Sequence, residues 1–431
     1  MMMTNKAANR RFTSNMLSSC DCIILLKNLA SLYGEGEQSS TKSPCVACQS
    51  ITIRQMLTST NRILLLFFSI AIIILLRRPA SMSIQTALIV SEVGGRVHST
   101  SNWPVPQPGP KQVQLRVTVA GLNPHDQKAR DAGLFIKDKL PAILGNDVTG
   151  VVTVVGPDVT KFKIGDRVVS QSRLDGNSQR ALQQYAVVDE DFASKIPHRF
   201  SDHDAASLPT NAAAALIALF DESGLGIPAP WSSGAETFDY AGTTLLILGG
   251  GSNCGRFGVQ LARLAGIGNI VVVGGSDDEL QKYGANHVLD RHGGVDAVLE
   301  RIRNVVGDDL IYAFDAINLP AEQHLAVSAL SSSKKGTLAR LRFSVGAIDE
   351  SKFIGKKQAG YETRNVFGLS HVKFETAKPF WDRVEGYLEN RSVVPLRYEV
   401  VSGLDAQKVN KLLDRYRDGL KVVQTQFRVS E

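Results

Sequence analysis

The chain has 431 residues, of which 43% are hydrophobic and 21% charged, with 37 glycines, 16 prolines and five cysteines. That length suggests two or three domains, and the balance excludes a disordered chain, a collagen-like repeat and a disulfide-stapled miniprotein. The formal charge of +6 invites a nucleic-acid partner, but nine of the 48 basic residues and only three of the 42 acidic ones lie in 1–81, so 82–431 carries 39 of each. A neutral body implies no basic face for a phosphate backbone.

In chain order, residues 1–81 form an N-terminal extension whose first 60 residues are rich in Ser, Thr and Asn without helical or strand period, so disorder is expected. Cys20, Cys22, Cys45 and Cys48 lie here, while all eight histidines lie at or beyond His98. These C-x-C and C-x-x-C pairs read as incidental rather than as a metal site. Cys254 alone lies beyond, which gives no disulfide framework and fits a reducing compartment, with a cytoplasmic catalytic body. Ile63 to Leu76 is an uncharged apolar run between Arg62 and Arg77-Arg78. As a helix it spans about 21 Å against a hydrocarbon core of about 30 Å. It reads as a short single-pass membrane anchor, a hydrophobic targeting segment, or sequence outside the true start of the protein.

From Met82 to about residue 195, short β-rich runs (QTALIV, VQLRVTVAG, GVVTVVG, DRVVS, YAVV) are punctuated by Gly and Pro, as in an antiparallel domain. A helix is predicted over Asn211 to Phe220. Strand, glycine turn, helix and strand then follow (TTLLILGGG, GRFGVQLARLAG, NIVVVGG), and the alternation continues through GTLARL. This is the pattern of a doubly wound parallel sheet. Phe380 to Leu388 and Ala406 to Gly419 read as two amphipathic helices.

Gly249, Gly250, Gly251, Ser252, Asn253, Cys254 and Gly255 follow the strand Thr244 to Leu248 and precede a helix predicted from Arg256 to Leu264. Glycines in that position let backbone approach a pyrophosphate at a helix N-terminus, although the strict G-x-G-x-x-G spacing is not met. The second strand ends at Gly274-Gly275-Ser276 without the acid that binds the ribose of NAD. Arg291 is placed to meet the 2′-phosphate of NADP, while Asp277 and Asp278 oppose it.

Over about 82–431 the chain resembles the zinc-free medium-chain dehydrogenase/reductases, most closely the fungal enoyl-reductase-like and quinone oxidoreductase-like group. The residues that carry the resemblance are Val119 to Lys128 (VAGLNPHDQK), Gly145 to Val152 (GNDVTGVV), Val155-Gly156, Gly165 to Val168 (GDRV), Ala205 to Asn211 (AASLPTN), Leu225 to Pro228 (LGIP) and the glycine turn. The resemblance implies an α/β protein with a β-rich GroES-like catalytic domain over 82–220, completed by about 375–431, and a Rossmann domain with a doubly wound parallel sheet over 221–374. The family's zinc alcohol dehydrogenases carry Cys where this chain has Asn123, His-Glu where it has Asn146-Asp147, and a four-cysteine lobe where 171–190 has no cysteine. Neither zinc site can be built without those ligands, so no metal is expected, and His125 reads as a surface or packing residue.

The resemblance places Asn123, Asp126 and Lys128 beside the nicotinamide ribose and the active cleft, with Lys128 as the cation near the cofactor or a developing oxyanion. On the residues alone, Asn-Pro with nearby Asp and Lys reads equally as a turn, and Thr210 as a helix cap or a cofactor contact. The expected activity is NADPH-dependent hydride transfer, preferred over NADH, to an activated C=C of an enoyl or enone group or to a quinone. The substrate is a small molecule, free or presented by a polyketide synthase in secondary metabolism. The alternatives are a zinc-independent alcohol dehydrogenase or carbonyl reductase, and a catalytically silent nucleotide-binding protein.

Overall fold

Valine and isoleucine dominate the apolar runs of this chain, and in the computed structural model, which describes residues 83–430 except 175 and 344–347, they form strands. The expectations for 1–81, among them disorder, incidental cysteines and the hydrophobic run 63–76, lie outside the described residues. Among the described residues no helix is long and apolar enough to cross a membrane.

The first part of the chain supplies β1 (Ile84–Val90), β2 (His98–Pro104), β3 (Gln112–Gly121), α1 (Pro124–Ala132), β4 (Ala142–Ile143), β5 (Asp147–Val155), β6 (Arg167–Gln171), β7 (Tyr185–Asp189) and β8 (Ala193–Lys195). Helices α2 (Asp202–Ala206) and α3 (Pro209–Phe220) lead out of it. An alternating stretch follows: β9 (Thr244–Leu248), α4 (Asn253–Ala265), β10 (Asn269–Val273), α5 (Asp277–Tyr283), β11 (His287–Leu289), α6 (Gly294–Val306), β12 (Tyr312–Asp315), α7 (His324–Ala329), β13 (Gly336–Arg340) and β14 (Tyr361–Asn365). The chain ends through α8 (Phe374–Trp381), α9 (Val384–Glu389), β15 (Tyr398–Ser402), α10 (Ala406–Arg417) and β16 (Gln424–Arg428).

Strands β9 to β14 form a six-stranded sheet in the order β11-β10-β9-β12-β13-β14, every pair parallel. Its central strands β9 and β10 are apolar on both faces because helices cover both. Leu245, Ile247, Ile270 and Val272 pack with Leu216, Phe257 and Leu261 on one side. Their neighbours Leu246, Leu248, Val271 and Val273 pack with Val298 and Ile302 on the other. The strand order reverses between β9 and β12, and the crevice at the carboxyl ends of those strands is where such sheets bind ligands.

The β-rich part holds a sheet ordered β15-β16-β3-β5-β6-β8, with β7 also on β3, and a smaller sheet β2-β1-β4. The last strand, β16, lies antiparallel to β3 with Gln426 opposite Gly121. Leu115, Val148, Val168 and Phe427 fill this core with Val409 and Leu413 of α10. The α/β architecture is the one expected.

The C-terminal helices differ from the sequence reading. The single helix expected over Phe380 to Leu388 is the end of α8 and most of α9, broken at Asp382-Arg383. Pro379 lies inside α8 and removes a backbone donor there, while the apolar period runs on through both short helices and hides the break.

Candidate active site

Asn123 closes the loop after β3, and Pro124 opens α1, where a missing N–H costs nothing. The carboxylate of Asp126 spans two backbone donors: Oδ2 accepts from Asn123 N at 2.8 Å and Oδ1 from Gly145 N at 2.9 Å. Both oxygens of Asp126, expected among the catalytic groups, thus hold backbone of the loop. Lys128 is exposed and makes no ion pair among the described residues. It lies one helical turn beyond His125, on the same face of α1.

Asp147 begins β5 and is 0% exposed. Its Oδ2 accepts from Asn123 Nδ2 at 2.7 Å and its Oδ1 from Thr210 N at 2.8 Å. A side chain at Gly121 would meet Asp147 Cβ at 2.8 Å, so glycine is needed for this approach. Burial pushes the Asp147 carboxyl up from 3.8 to about 6, against hydrogen bonds from Thr210 and Asn123 and the nearby His125 that pull it down. Thr210 is the second residue of α3 rather than its cap. From this pair the network crosses to the parallel sheet. Asn211 Nδ2 donates to Asn123 Oδ1 at 3.1 Å, and Cys254 Sγ donates to Asn211 Oδ1 at 3.4 Å. Burial pushes the Cys254 thiol up to about 12, so the sulfur stays protonated as a donor. Cys254, expected at the cofactor, sends its side chain into this seam.

Because burial favours the neutral acid, Asp147 contributes its stability fully below about pH 4 and loses it as pH rises through about 6. Asp147→Asn should abolish that dependence. Between pH 4 and 7 wild type should lose about 2–3 kcal/mol relative to the variant in urea unfolding. Parallel curves would show that Asp147 titrates no differently in the folded and unfolded chain.

The glycine turn joins β9 to α4. Gly249 has φ +87°. A Cβ at Gly250 would lie 2.2 Å from Val272 Cγ1 and 2.6 Å from Gly274 O, and one at Gly255 2.3 Å from Gly249 O. Ser252 caps α4, accepting from Gly255 N at 3.0 Å and donating to Gly249 O at 2.8 Å. Arg256 fastens the turn to α5: it donates to Gly251 O at 2.6 Å and pairs with Glu279 at 2.9 Å. The turn therefore brings bare backbone and a helix N-terminus to one point, which fits a pyrophosphate.

At the end of β10, Ser276 is the exposed residue before α5. Asp277 and Asp278, the acids that weighed against a 2′-phosphate, are exposed in the first turn of α5, where they complement the helix dipole. Arg291 is exposed, and its side chain lies over Gly274, whose Cβ would be 3.2 Å from Arg291 Cδ.

Three buried polar atoms beside these elements have no aligned hydrogen-bond partner among the described residues: Thr210 Oγ1, His125 Nε2 and Gln424 Nε2. Buried polar groups are ordinarily paired; of these orphans Gln424 lies against Asn253 at the glycine turn, Thr210 against Asp147 and His125 by Asp126. His125 had read as a packing residue. Its Nε2 stands 3.7 Å from Asp126 Oδ2, too far for a hydrogen bond.

Residues 109–198 match the alcohol dehydrogenase GroES-like domain. The dehydrogenase orsE of Emericella nidulans is 28% identical over 333 residues, 74% of this chain and 91% of that protein. The trans-enoyl reductase grgB of a Penicillium species is 33% identical over 257 residues, 57% of this chain and 67% of that protein. The chain belongs to the medium-chain dehydrogenase/reductase family. A solved mycobacterial structure complexed with NADPH shares the fold, with a TM-score of 0.59 at 21% identity over 80% of this chain and 100% of that one. This medium-chain dehydrogenase/reductase is an NAD(P)H-dependent oxidoreductase. The glycine turn, Ser276 and Arg291 are the residues that could hold a nicotinamide cofactor.

Zinc fits these residues poorly. The oxygens of Asp147 are engaged by Asn123 and Thr210, and no group of three His, Cys, Asp or Glu side chains with metal-binding geometry occurs among the described residues. Where a four-cysteine lobe would lie, Ser172 Oγ donates to Gln179 O at 2.6 Å and Ile143 N donates to Asn177 Oδ1 at 2.9 Å, tying the stretch by hydrogen bonds.

Proposed function

We propose that this chain is an NADPH-dependent, zinc-independent reductase of a C=C bond conjugated to a carbonyl, as in enoyl or enone groups, or of a quinone. The observation that carries the reading is the Asn123–Asp147 hydrogen bond at 2.7 Å: the two side chains at the expected metal position are committed to each other. Direct carbonyl reduction benefits from a Lewis acid, whereas conjugate reduction needs only donors for an enolate oxygen and a proton for carbon.

A bound NADPH would supply the hydride with its electron pair and be left as NADP⁺. As hydride reaches the β-carbon, the π electrons shift to the carbonyl oxygen, and the α-carbon then takes a proton. To Thr210 Oγ1, which lies against Asp147, and to His125 Nε2 we assign donation to that oxygen or passage of the proton. Asn123 orients Asp147 and Asn211, Asp126 holds Asn123, and Lys128 brings positive charge to the face of α1 that His125 shares. The trans-enoyl reductase among the relatives supports an enoyl substrate, and we propose a polyketide synthase as the partner that presents it.

The reading is tested by NADPH consumption with enones, free and carrier-bound enoyl thioesters, quinones and aldehydes, with and without chelator. Chelator-insensitive reduction of the conjugated substrates is expected. Preferred aldehyde reduction, or activity lost to chelator, would overturn it, and NADPH binding without turnover on any substrate would indicate a silent nucleotide-binding protein. Arg291→Ala should weaken NADPH about ten- to a hundredfold and leave NADH unchanged, as expected for a charge-assisted bond to the 2′-phosphate. Equal losses in fluorescence titrations would assign Arg291 to the fold.

A further inference from the structure

We propose that Asn146 is a catalytic residue whose amide N–H₂ donates to the substrate carbonyl oxygen as it becomes an enolate, with Arg180 as the positioning residue that turns the amide. This rests on the conjugate-reduction reading above and adds a donor which that reading leaves unused.

Asn146 stands between two residues that are tied down. Gly145 gives its N–H to Asp126 Oδ1 at 2.9 Å and accepts from Ala181 N at 3.0 Å. Asp147 is held by Asn123 and Thr210. The Asn146 carbonyl itself accepts from Ser172 N at 2.8 Å. The backbone thus fixes where the side chain starts, and Arg180 fixes how it ends. Arg180, 4% exposed, donates from Nη1 to Asn146 Oδ1 and from Nη2 to Leu174 O at 3.5 Å. A guanidinium only donates, so the amide oxygen faces it and the N–H₂ points away.

That nitrogen makes no hydrogen bond among the described residues. Unlike Thr210 Oγ1 it is not sealed from the surface, so the 1% exposure of Asn146 falls there. Asn146 also stands where the family's zinc alcohol dehydrogenases carry the histidine of their His-Glu pair. A donor at that position meets the reacting oxygen as a metal would, through a hydrogen bond in place of a coordinate one. A cation on the amide oxygen polarises the group and strengthens its N–H as a donor. A donor already fixed before the substrate arrives needs no reorganisation when charge develops. Asn146 keeps its protons throughout: hydride enters at the β-carbon, the π electrons move to the oxygen, and another group protonates the α-carbon.

The test uses the full chain with NADPH and an enone or quinone that the wild type reduces, and separates turnover from NADPH affinity and melting. Asn146→Asp keeps an oxygen for Arg180 but has no N–H. Its kcat should fall about a hundred- to a thousandfold, with NADPH affinity and melting temperature near wild type. Asn146→Ala, which adds no charge, should lose kcat to a similar extent. Arg180→Lys, still a donor to Asn146, should keep more of kcat than Arg180→Met, which should lose about tenfold. A loss confined to Asn146→Asp would assign the effect to its charge and overturn the proposal. So would a fall in NADPH affinity as large as the fall in kcat, which would assign Asn146 to the cofactor. A wild-type chain that reduces no conjugated substrate would overturn the reading and this inference with it. Wild-type turnover matched by both Asn146 variants would overturn this inference alone.

Discussion

Gly255→Ala is expected to lower nucleotide affinity more than a hundredfold and to reduce stability by about 1–3 kcal/mol, the cost of overpacking a rigid site. The added methyl carbon would stand 2.3 Å from Gly249 O and 3.0 Å from Gly250 Cα, both backbone, so the turn itself must move. The Gly255 N–H that Ser252 Oγ caps would move with it. Gly251→Ala is the informative companion. Its methyl would meet Gly275 Cα at 3.4 Å, an ordinary contact, so the fold should melt as wild type and only cofactor binding should suffer. Equal melting temperatures for Gly255→Ala and wild type would show that the turn yields more easily than its packing implies.

The second large effect is expected at Arg130. Its side chain, 3% exposed, pairs with Asp131 at 2.6 Å and Asp414 at 2.8 Å and donates to Asn410 Oδ1 at 3.3 Å, joining α1 to α10. Arg130→Ala leaves two carboxylates and a buried amide without their common donor, and should cost about 3–5 kcal/mol. Because α1 begins at the loop that Asp126 holds, turnover should fall further than the melting temperature alone explains. Arg130→Lys should recover only part of the stability, since one ammonium cannot reproduce the planar fork. Urea unfolding of Arg130→Ala, Asp414→Ala and the double variant measures the coupling. A loss below about 1 kcal/mol would place this network with ordinary surface pairs.

The parallel sheet was legible because its central strands are apolar on both faces and a glycine turn follows β9. Strand β14, Tyr361–Asn365, left no such mark: it is polar and lies at the sheet edge, where no alternation is imposed. The site was legible in pieces. Asn123 and Thr210 stood out by resemblance, and Gly249 to Gly255 by local geometry. The bond between Asp147 and Thr210 joins residues 63 positions apart, and that between Asn253 and Gln424 joins residues 171 apart, so both are products of topology and no local pattern announces them. His125 reads from the sequence as a surface or packing residue, because only the packed loop reveals that its Nε2 is buried without a partner among the described residues.

The pairing of β16 with β3 also sets the order in which the molecule can be finished. The six-stranded parallel sheet has all its strands once Asn365 has been made, whereas the Gly121 end of β3 waits for Gln426. At translation rates of about 5–20 residues per second, those 305 residues take about 15–60 s to make, during which a strand in the middle of the other sheet keeps a bare backbone edge. An edge of that kind is a template for wrong pairing. The β-rich part, begun before the parallel sheet, thus closes after it, and its cleft cannot assemble before β16 emerges.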